Sequence, residues 1–584
     1  MPEITIVPEN LSIRTRRKET VRDALYRAGI ELDTPCNGEG ICGKCQIRVE
    51  NPEGVAETPH KEISRQQAEQ GVRLACQLVV EKDITITLLS DFKKDDHRIL
   101  EGDRDPAFFE TGIQAPRKHL SEDESARRNV PAVSVNCSEN GCTMIYEGQE
   151  AGKLDSWNPA ATPKGLAIDL GTTTLVVSLI DLATGSELAT TSSLNPQIRF
   201  GHDVIRRIQK GSTPEGLQEI SGCVREGLNE LIEQACDDSG ANSDQILDIV
   251  IGGNTTMLQL AAAVNPEPLG RVPFEVDLES GRTHPASRFG LNVNKSARVY
   301  VPPVVHAYLG ADISAGLLVS GRFFSSSGTM LFVDVGTNGE MGLSADGTYL
   351  MTSTAAGPAF EGMGITAGMR ARIGAVEAVE TDGKSWIKIR TIGDAPPEGI
   401  CGSGIIDLTA ALFRLGVIDT TGRMKGPEEA SDLPDSAAGA IEEIDGMPAF
   451  RLGENVYFTQ EDVRQVQLAK SAIRAAIEIL LREAGVAEHG LDRIVLAGGF
   501  GYSLRAESLE TIGLLPPATA DKVYFAGNTS RIGCVRMLRN IGYRRFLEEK
   551  MKSVRHVAIE SRPEFMESYV AAMEFPESAE TSGQ

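Results

Sequence analysis

"KGLAIDLGTTTLVVSLIDLATG" occupies residues 164–185. An apolar run ends in Asp169, a turn follows with Gly171, Thr172, Thr173 and Thr174, and a second apolar run leaves it. A turn of small residues between two buried strands offers N–H groups and hydroxyls to a phosphate. The aspartate at its base suits Mg2+ held through water. One such turn is only moderately specific, but it recurs at 328–343, "GTMLFVDVGTNGEMGL", with Asp334, Gly336, Thr337 and Asn338 in corresponding places. The repeat predicts an internal duplication with one nucleotide clamped between two halves. A third element, "LDRIVLAGGFGYSL" at 491–504, reads as a buried strand running into Gly498, Gly499 and Gly501, where a backbone can lie flat against an adenosine.

Two phosphate hairpins followed by a late Gly-Gly turn resemble the acetate/sugar kinase–Hsp70–actin superfamily of ATPases. In that fold a helix just before the second hairpin brings a polar side chain to the attacking water. Here the helix is "YLGADISAGLLVSG" and its acidic residue is Asp312. The resemblance implies that Asp312 orients or deprotonates water, while Asp169 and Asp334 manage Mg2+; capping its own helix is the competing role for Asp312. "VIGGNTTMLQL" and "GICGSGIIDLTAALFRLG" each place small residues between a strand and a helix: Gly253, Asn254 and Thr255 in the first, Gly402, Ser403 and Gly404 in the second. Either helix start suits an anion, and simple capping is the equal alternative. Thr459 opens a long amphipathic helix on which Lys470 and Ser471 either touch the ribose, as on the comparable Hsp70 helix, or face solvent. The second is the expectation.

The chain begins differently. "TPCNGEGICGKCQIRV" at 34–49 brings Cys36, Cys42 and Cys45 together, and the next cysteine is Cys76, giving C-x5-C-x2-C-x30-C. Soft thiolates select zinc, copper(I) or iron–sulfur clusters. Structural zinc sites pair two short knuckles, and Cys76 lacks such a partner. Three ligands on one Gly-rich loop with a distant fourth is the plant-type [2Fe–2S] arrangement, with a loop one residue longer than the plant spacing. The flanks read as a hairpin ("EITIV", "LSIR"), an amphipathic helix ending near Gly29, and further strands in "CQIRV" and "ITITLL". This resembles a ferredoxin domain with the longer loop of adrenodoxin-like and bacterial relatives. A zinc site or four unrelated thiols is the competing account.

The expected organisation is multidomain, α+β and α/β. A β-grasp ferredoxin domain covers 1–93, a flexible linker 94–130 and a small β-rich middle unit 131–163. A duplicated actin/Hsp70-like ATPase domain follows at 164–560, with halves near 164–325 and 326–560, and then a tail at 561–584. The middle unit alternates and turns near Glu147–Gly148; its Cys137 and Cys142 read as packing or surface thiols, and Cys223, Cys236, Cys401 and Cys534 as buried. With 41% hydrophobic and 24% charged residues the composition is that of a globular protein. No apolar run reaches the roughly 18 residues of a membrane span, and the N-terminus lacks a signal-peptide layout, so a cytoplasmic protein is expected. A net charge of −24 argues against polyanionic partners such as nucleic acid or an anionic membrane.

An electron carrier fused to an ATPase suits uphill electron transfer. Plant-type clusters lie near about −400 mV. Driving an electron roughly 150 mV further costs about 3.5 kcal/mol, within reach of nucleotide-driven changes in affinity. The ordered stretches "CNGEGICGKC", "AIDLGTTT", "GGNTTM", "DVGTNGEM", "STAAGPAFEGMGI", "GICGSGIID", "TQEDVRQVQLAK" and "LAGGFG" span nearly the whole chain. Together they resemble the reductive activators of corrinoid proteins. The resemblance implies ATP-dependent one-electron reduction of an inactive Co(II) corrinoid protein to Co(I), in a methyl-transfer system of the O-demethylase, methyltransferase or acetyl-CoA pathway kind. It also implies a corrinoid protein and a low-potential electron donor as partners, with a homodimer left open. The middle region is shorter than the family's three-domain layout implies. In "MTSTAAGPAFEG", Ser353 is the hydroxyl that would approach cobalt if this loop faces the corrinoid; a tight turn is the plain alternative. Rival readings are ATP-driven electron donation to another low-potential enzyme, a redox-sensing chaperone and a small-molecule kinase.

Overall fold

The computed structural model describes residues 2–7, 11–15, 19–27, 30, 32, 45–50, 63–80, 82–89, 129–139, 141–154, 157–201, 203–320, 323–325, 327–498 and 504–576. The expected linker at 94–130 lies outside them except for Asn129 and Val130. The chain forms two compact units, Met1–His97 with Gln197–His202, and Arg98–Pro196 with Asp203–Gln584.

The first unit is a five-stranded sheet of β1 (Glu3–Val7), β2 (Leu11–Arg14), β3 (Gln46–Val49), β4 (Val72–Leu74) and β5 (Ile84–Leu88), ordered β2-β1-β5-β3-β4. Helices α1 (Val21–Arg27) and α2 (Arg65–Glu69) accompany it. In "EITIV" the two isoleucines fall on one face by the strand's two-residue period, so Ile4 and Ile6 are buried. They share a core with Val21, Leu25, Ile47 and Ile86. β1 pairs antiparallel with β2 and parallel with β5, the β-grasp arrangement expected from the sequence.

The second unit starts with a small sheet, β6 (Val133–Ser138), β7 (Gly141–Tyr146) and β8 (Gln149–Leu154). Its turn at Glu147–Gly148 takes positive φ at both residues, as a two-residue hairpin requires. Cys137 faces Cys142 across β6 and β7, and the two form a disulfide, which corrects their reading as free thiols. The cause is register: the short turn at "SENG" sets the two cysteines directly opposite. Cys223, Cys236, Cys401 and Cys534 are buried, as expected.

Two six-stranded sheets carry the rest. The first comprises β9 (Lys164–Leu170), β10 (Thr174–Asp181), β11 (Glu187–Leu194), β12 (Ile246–Gly253), β13 (Arg282–Pro285) and β14 (Arg298–Val301), ordered β11-β10-β9-β12-β14-β13. Its helices include α3 (Pro214–Ser239), α4 (Thr255–Ala261) and α5 (Ala311–Val319). The second half holds β15 (Thr329–Val335), β16 (Asn338–Ala345) and β17 (Thr348–Ala355), then β18 (Ala375–Thr381), β19 (Ile387–Thr391) and β20 (Gly399–Ile400), followed by α6 (Gly402–Arg414). Next come β21 (Ile441–Ile444), β22 (Met447–Arg451), β23 (Tyr457–Thr459), α7 (Gln460–Ala484), β24 (Arg493–Ala497) and β25 (Val523–Gly527). Helices α8 (Thr529–Arg539) and α9 (Gly542–Met551), β26 (Val554–His556) and α10 (Pro563–Ala571) end the unit. Its main sheet is ordered β25-β24-β15-β16-β17-β26. An antiparallel three-strand meander followed by parallel neighbours appears in both sheets, so the repeat in the hairpin motifs is a repeat in topology.

A buried ion pair ties the small sheet to the larger domain. Arg544 of α9 donates to both oxygens of Asp248 on β12, at 3.3 and 2.5 Å, and to the Tyr146 hydroxyl of β7 at 2.9 Å. The Asp248 and Arg544 side chains are 0% and 1% exposed.

Candidate functional site

Each phosphate hairpin folds for a local reason. The Gly171 N–H donates to the Thr174 carbonyl at 3.0 Å, closing the first turn, and a Cβ on Gly171 would lie 2.7 Å from that oxygen. Asn195 supports the turn from behind, its Nδ2 donating to the Gly171 carbonyl and its N–H to the Thr173 carbonyl, both at 2.8 Å. In the second turn the Gly357 N–H donates to the Thr337 carbonyl at 2.9 Å. The two turns meet at Glu361. Thr173 Oγ1 donates to its Oε2 at 3.2 Å and Thr337 Oγ1 to its Oε1 at 2.5 Å. The duplicated hairpins therefore converge, as a shared nucleotide requires.

Asp169 is gripped by the start of α8: Asn528 Nδ2 and Ser530 Oγ each donate to it at 2.7 Å. The motif reading missed both residues, although the signal was present. "GGNTTM" at 252–257 and "AGNTSR" at 526–531 are the same strand-to-helix step in the two halves. Each asparagine caps its helix, Asn254 accepting from the Thr256 N–H and Asn528 from the Arg531 N–H.

Asp312 lies in the first turn of α5, where Gly310 is the cap, so capping is not its main task. It accepts the Ile313 N–H at 2.8 Å. Desolvation by burial raises its carboxyl, and nearby Asp334 and Asp169 add to the rise. Burial and Asp169 push Asp334 up to about 7. Both carboxylates still keep partial contact with solvent. A third acid, absent from the sequence reading, completes the group. Glu340 on β16 is the register partner of Asp334 on β15 and of Ser353 on β17, so all three side chains share one sheet face. Burial raises the Glu340 carboxyl well above the usual range, with Asp312 and Asp334 contributing, and its Oε1 has no hydrogen-bond partner among the described residues.

Four mutually repelling carboxylates fit a hard cation that arrives with phosphates. Among the described residues no three are spaced for direct chelation.

Gly498 takes φ +106° at the end of β24, where a Cβ would lie 2.7 Å from the Val335 carbonyl and 3.1 Å from Asp334 Oδ1. The third element thus reaches the second hairpin; Gly499 and Gly501 lie outside the described residues. Gly404 is explained by packing, since a Cβ there would sit 2.0 Å from the Val376 carbonyl. Lys470 and Ser471 are not surface residues, as expected from the helix pattern, but fully buried. Lys470 Nζ donates to the carbonyls of Ala572 and Glu574 at 2.6 and 2.7 Å, holding the segment after α10, and burial pushes it down to about 7. Ser471 donates to the Gln467 carbonyl one turn back.

In the first unit, Cys36 and Cys42 lie outside the described residues. Cys45 and Cys76 are buried, and the Ala75 N–H donates to the Cys45 carbonyl at 2.9 Å where β3 and β4 meet. The fourth cysteine of the spacing is thus brought back beside the Gly-rich loop's last one. Two buried cysteines brought close along the chain's adjoining strands fit a thiolate-held cluster.

Fold and site together define a ferredoxin domain joined to a duplicated ATPase domain. Residues 4–81 match the 2Fe-2S iron-sulfur cluster binding domain, 164–322 the RACo middle region, and 328–582 the C-terminal domain of RACo, the ASKHA domain. The family's middle region is therefore the first α/β half, which corrects the expectation of a shortened one. The corrinoid activation enzyme RamQ of Eubacterium limosum is 30% identical, over 96% of each chain. The [Co(II) methylated amine-specific corrinoid protein] reductase of Methanosarcina barkeri is 26% identical over 63% of this chain and 68% of its own. A solved reductive activator for corrinoid, iron-sulfur protein superposes with a TM-score of 0.67 at 29% identity, covering 99% of this chain and 98% of that one. The chain belongs to the reductive activators of corrinoid proteins.

Proposed function

We propose that this protein uses ATP to drive one-electron reduction of an inactive Co(II) corrinoid protein to Co(I), keeping a methyl-transfer system in working order. The observation that carries this reading is the joining of a ferredoxin domain to two phosphate hairpins that meet through one carboxylate. Cys36, Cys42, Cys45 and Cys76 would hold a [2Fe–2S] cluster, which takes up and releases one electron at a time. Its own reductant is a low-potential donor, and the cytoplasm is the compartment proposed. Among the described residues no helix is long and apolar enough to cross a membrane.

In the ATPase domain, Gly171, Thr172 and Thr173 address one end of the triphosphate and Gly336, Thr337 and Asn338 the other. Gly498, Gly499 and Gly501 lie along the adenosine, with Gly402 assigned to the same nucleotide and Gly404 packing the start of its helix against Val376. Asp169, fixed by Asn528 and Ser530, and Asp334 would hold Mg2+. Asp312 positions the attacking water. Ser353 faces the corrinoid, and its pairing with Glu340 places it one strand from Asp334's partner and two strands from Asp334 itself.

The test is anaerobic. The cluster-loaded protein is mixed with a Co(II) corrinoid protein and a low-potential donor, and the Co(I) absorption band is followed with and without Mg-ATP. A band that needs ATP and is lost in Cys42→Ala and in Asp334→Ala supports the reading. Absence of Co(I) with several corrinoid proteins, despite an intact cluster and ATP turnover, refutes it.

A further inference from the structure

Glu361 belongs to neither hairpin, yet it is the group both hairpins hold. Its two carboxylate oxygens each accept one hydroxyl, from Thr173 in the first half and Thr337 in the second. These are the hydroxyls that a phosphate group between the turns would need. A carboxylate is a smaller anion with the same acceptor chemistry. We propose that Glu361 is a built-in anion that occupies the phosphate cradle of the nucleotide-free protein and must leave it when a nucleoside triphosphate enters. The inference rests on reading the two hairpins as that cradle.

Several features fit an internal competitor. Two anions a few ångströms apart repel, so carboxylate and phosphate cannot share the two hydroxyls. The backbone that delivers Glu361 is pinned on both sides. Ahead of it the Gly357 N–H is tied to the Thr337 carbonyl, and behind it Gly362 takes φ +79° with no room for a Cβ against Met369. Gly368 closes on the Gly362 carbonyl so tightly that a Cβ there would lie 1.9 Å from it. The carboxylate is thus presented from a short turn, Ala359–Glu361, which follows directly from the end of β17. β17 carries Ser353. A displacement of Glu361 that moves the turn would be passed back along residues 356–358 toward the strand that carries Ser353. Before nucleotide arrives, the same contact holds the two halves together.

The proposal predicts competition. If the carboxylate fills the cradle nine-tenths of the time, apparent affinity for a phosphate ligand is reduced about tenfold, and removing the charge restores it. The experiment is titration calorimetry of the full-length, cluster-loaded protein without oxygen. EDTA is present, and the probes are ATP, ADP and inorganic pyrophosphate. The expected result is that Glu361→Gln and Glu361→Ala bind pyrophosphate and ATP about tenfold more tightly than wild type, with Glu361→Asp in between. Unchanged or weaker affinity in both variants, with melting temperatures showing them folded, overturns the proposal: Glu361 would then be a brace or a ligand-side contact. Should a variant not fold, Thr173→Val offers a second measurement. It removes one of the carboxylate's two hydroxyls, so substituting Glu361 in that background must yield a smaller gain, and an undiminished gain overturns the proposal. If wild type binds none of the probes, even with Mg2+ restored, it is the cradle reading that fails.

Discussion

Asp334→Asn should stabilise the nucleotide-free ATPase unit, and by an amount that grows with pH. Burial and the neighbouring Asp169 push the Asp334 carboxyl from its ordinary 3.8 up to about 7. A carboxyl that holds its proton more tightly in the folded chain favours folding at low pH. As pH rises past 4 the unfolded chain releases that proton while the folded chain must keep it, so stability falls until the folded group ionises near 7. A gap of about three units, at about 1.36 kcal/mol per unit, amounts to about 4 kcal/mol. Water reaches part of the carboxylate, so that figure is a ceiling. Asparagine has the same shape and no charge, and it escapes the penalty. The difference in unfolding free energy, variant minus wild type, is therefore expected to be about 1 kcal/mol at pH 4.5 and to climb toward that ceiling by pH 8. Urea unfolding followed by tryptophan fluorescence suits the purpose, because the chain's two tryptophans, Trp157 and Trp386, both lie in the second unit. Subtracting the variant removes the pH dependence of groups that do not sense Asp334; Asp312 and Glu340, which Asp334 raises, contribute to the difference in the same direction. A variant less stable than wild type at pH 8, or a difference that does not change with pH, would refute the argument that this carboxylate is held at a cost until a cation relieves it.

The buried ion pair gives a second stability test: Asp248→Ala strands the Arg544 guanidinium and should cost about 3–5 kcal/mol in the same urea assay, whereas Asp248→Leu combined with Arg544→Met should recover most of it. Ser530→Ala and Asn528→Ala each remove one charge-assisted hydrogen bond from Asp169, worth about 1.5–3 kcal/mol. Each should therefore slow phosphate release from ATP by roughly tenfold or more. Cys45→Ala and Cys76→Ala should abolish the visible absorption of a [2Fe–2S] cluster, while ATP turnover measured without a corrinoid partner continues.

What the sequence made legible was whatever a short local pattern controls. "EITIV" and "LSIR" pair as read, and Thr459 opens α7 with the capping box its flanks announce. The two Gly-Thr turns between apolar strands bring their hydroxyls to one place. Residues missed were those whose meaning comes from a distant partner. Glu340 looks like an ordinary charge in "GTNGEMGL"; only the pairing of β16 with β15 and β17 sets it between Asp334 and Ser353. Lys470 reads as a solvent-facing position until the segment after α10 covers it and offers two carbonyls. The Cys137–Cys142 bridge needed the hairpin's register, since spacing alone does not say which thiols oppose. Asn528 and Ser530 were recoverable, because Asn254 and Thr255 had already drawn attention to the first copy of their motif.

The row Asp334–Glu340–Ser353 also bears on why this ATPase fold suits electron transfer to cobalt. Neighbouring strands in a sheet are only about 4.8 Å apart, so three paired residues span two such steps, a far shorter path than one through a hinge or a domain rotation. Glu340 is buried, its Oε1 lacks a hydrogen-bond partner among the described residues, and its carboxyl senses Asp312 and Asp334. A cation and phosphates bound at Asp334 as proposed would change the field on Glu340, and Glu340 stands beside Ser353. The second contact runs through Glu361 and the turn that leads back to the same strand, β17. Under the proposed reading, nucleotide would reach β17 by two routes, one electrostatic across the sheet and one along the chain through Glu361. Both end at Ser353, so a change of nucleotide state need not move the whole domain to be felt where the corrinoid would sit.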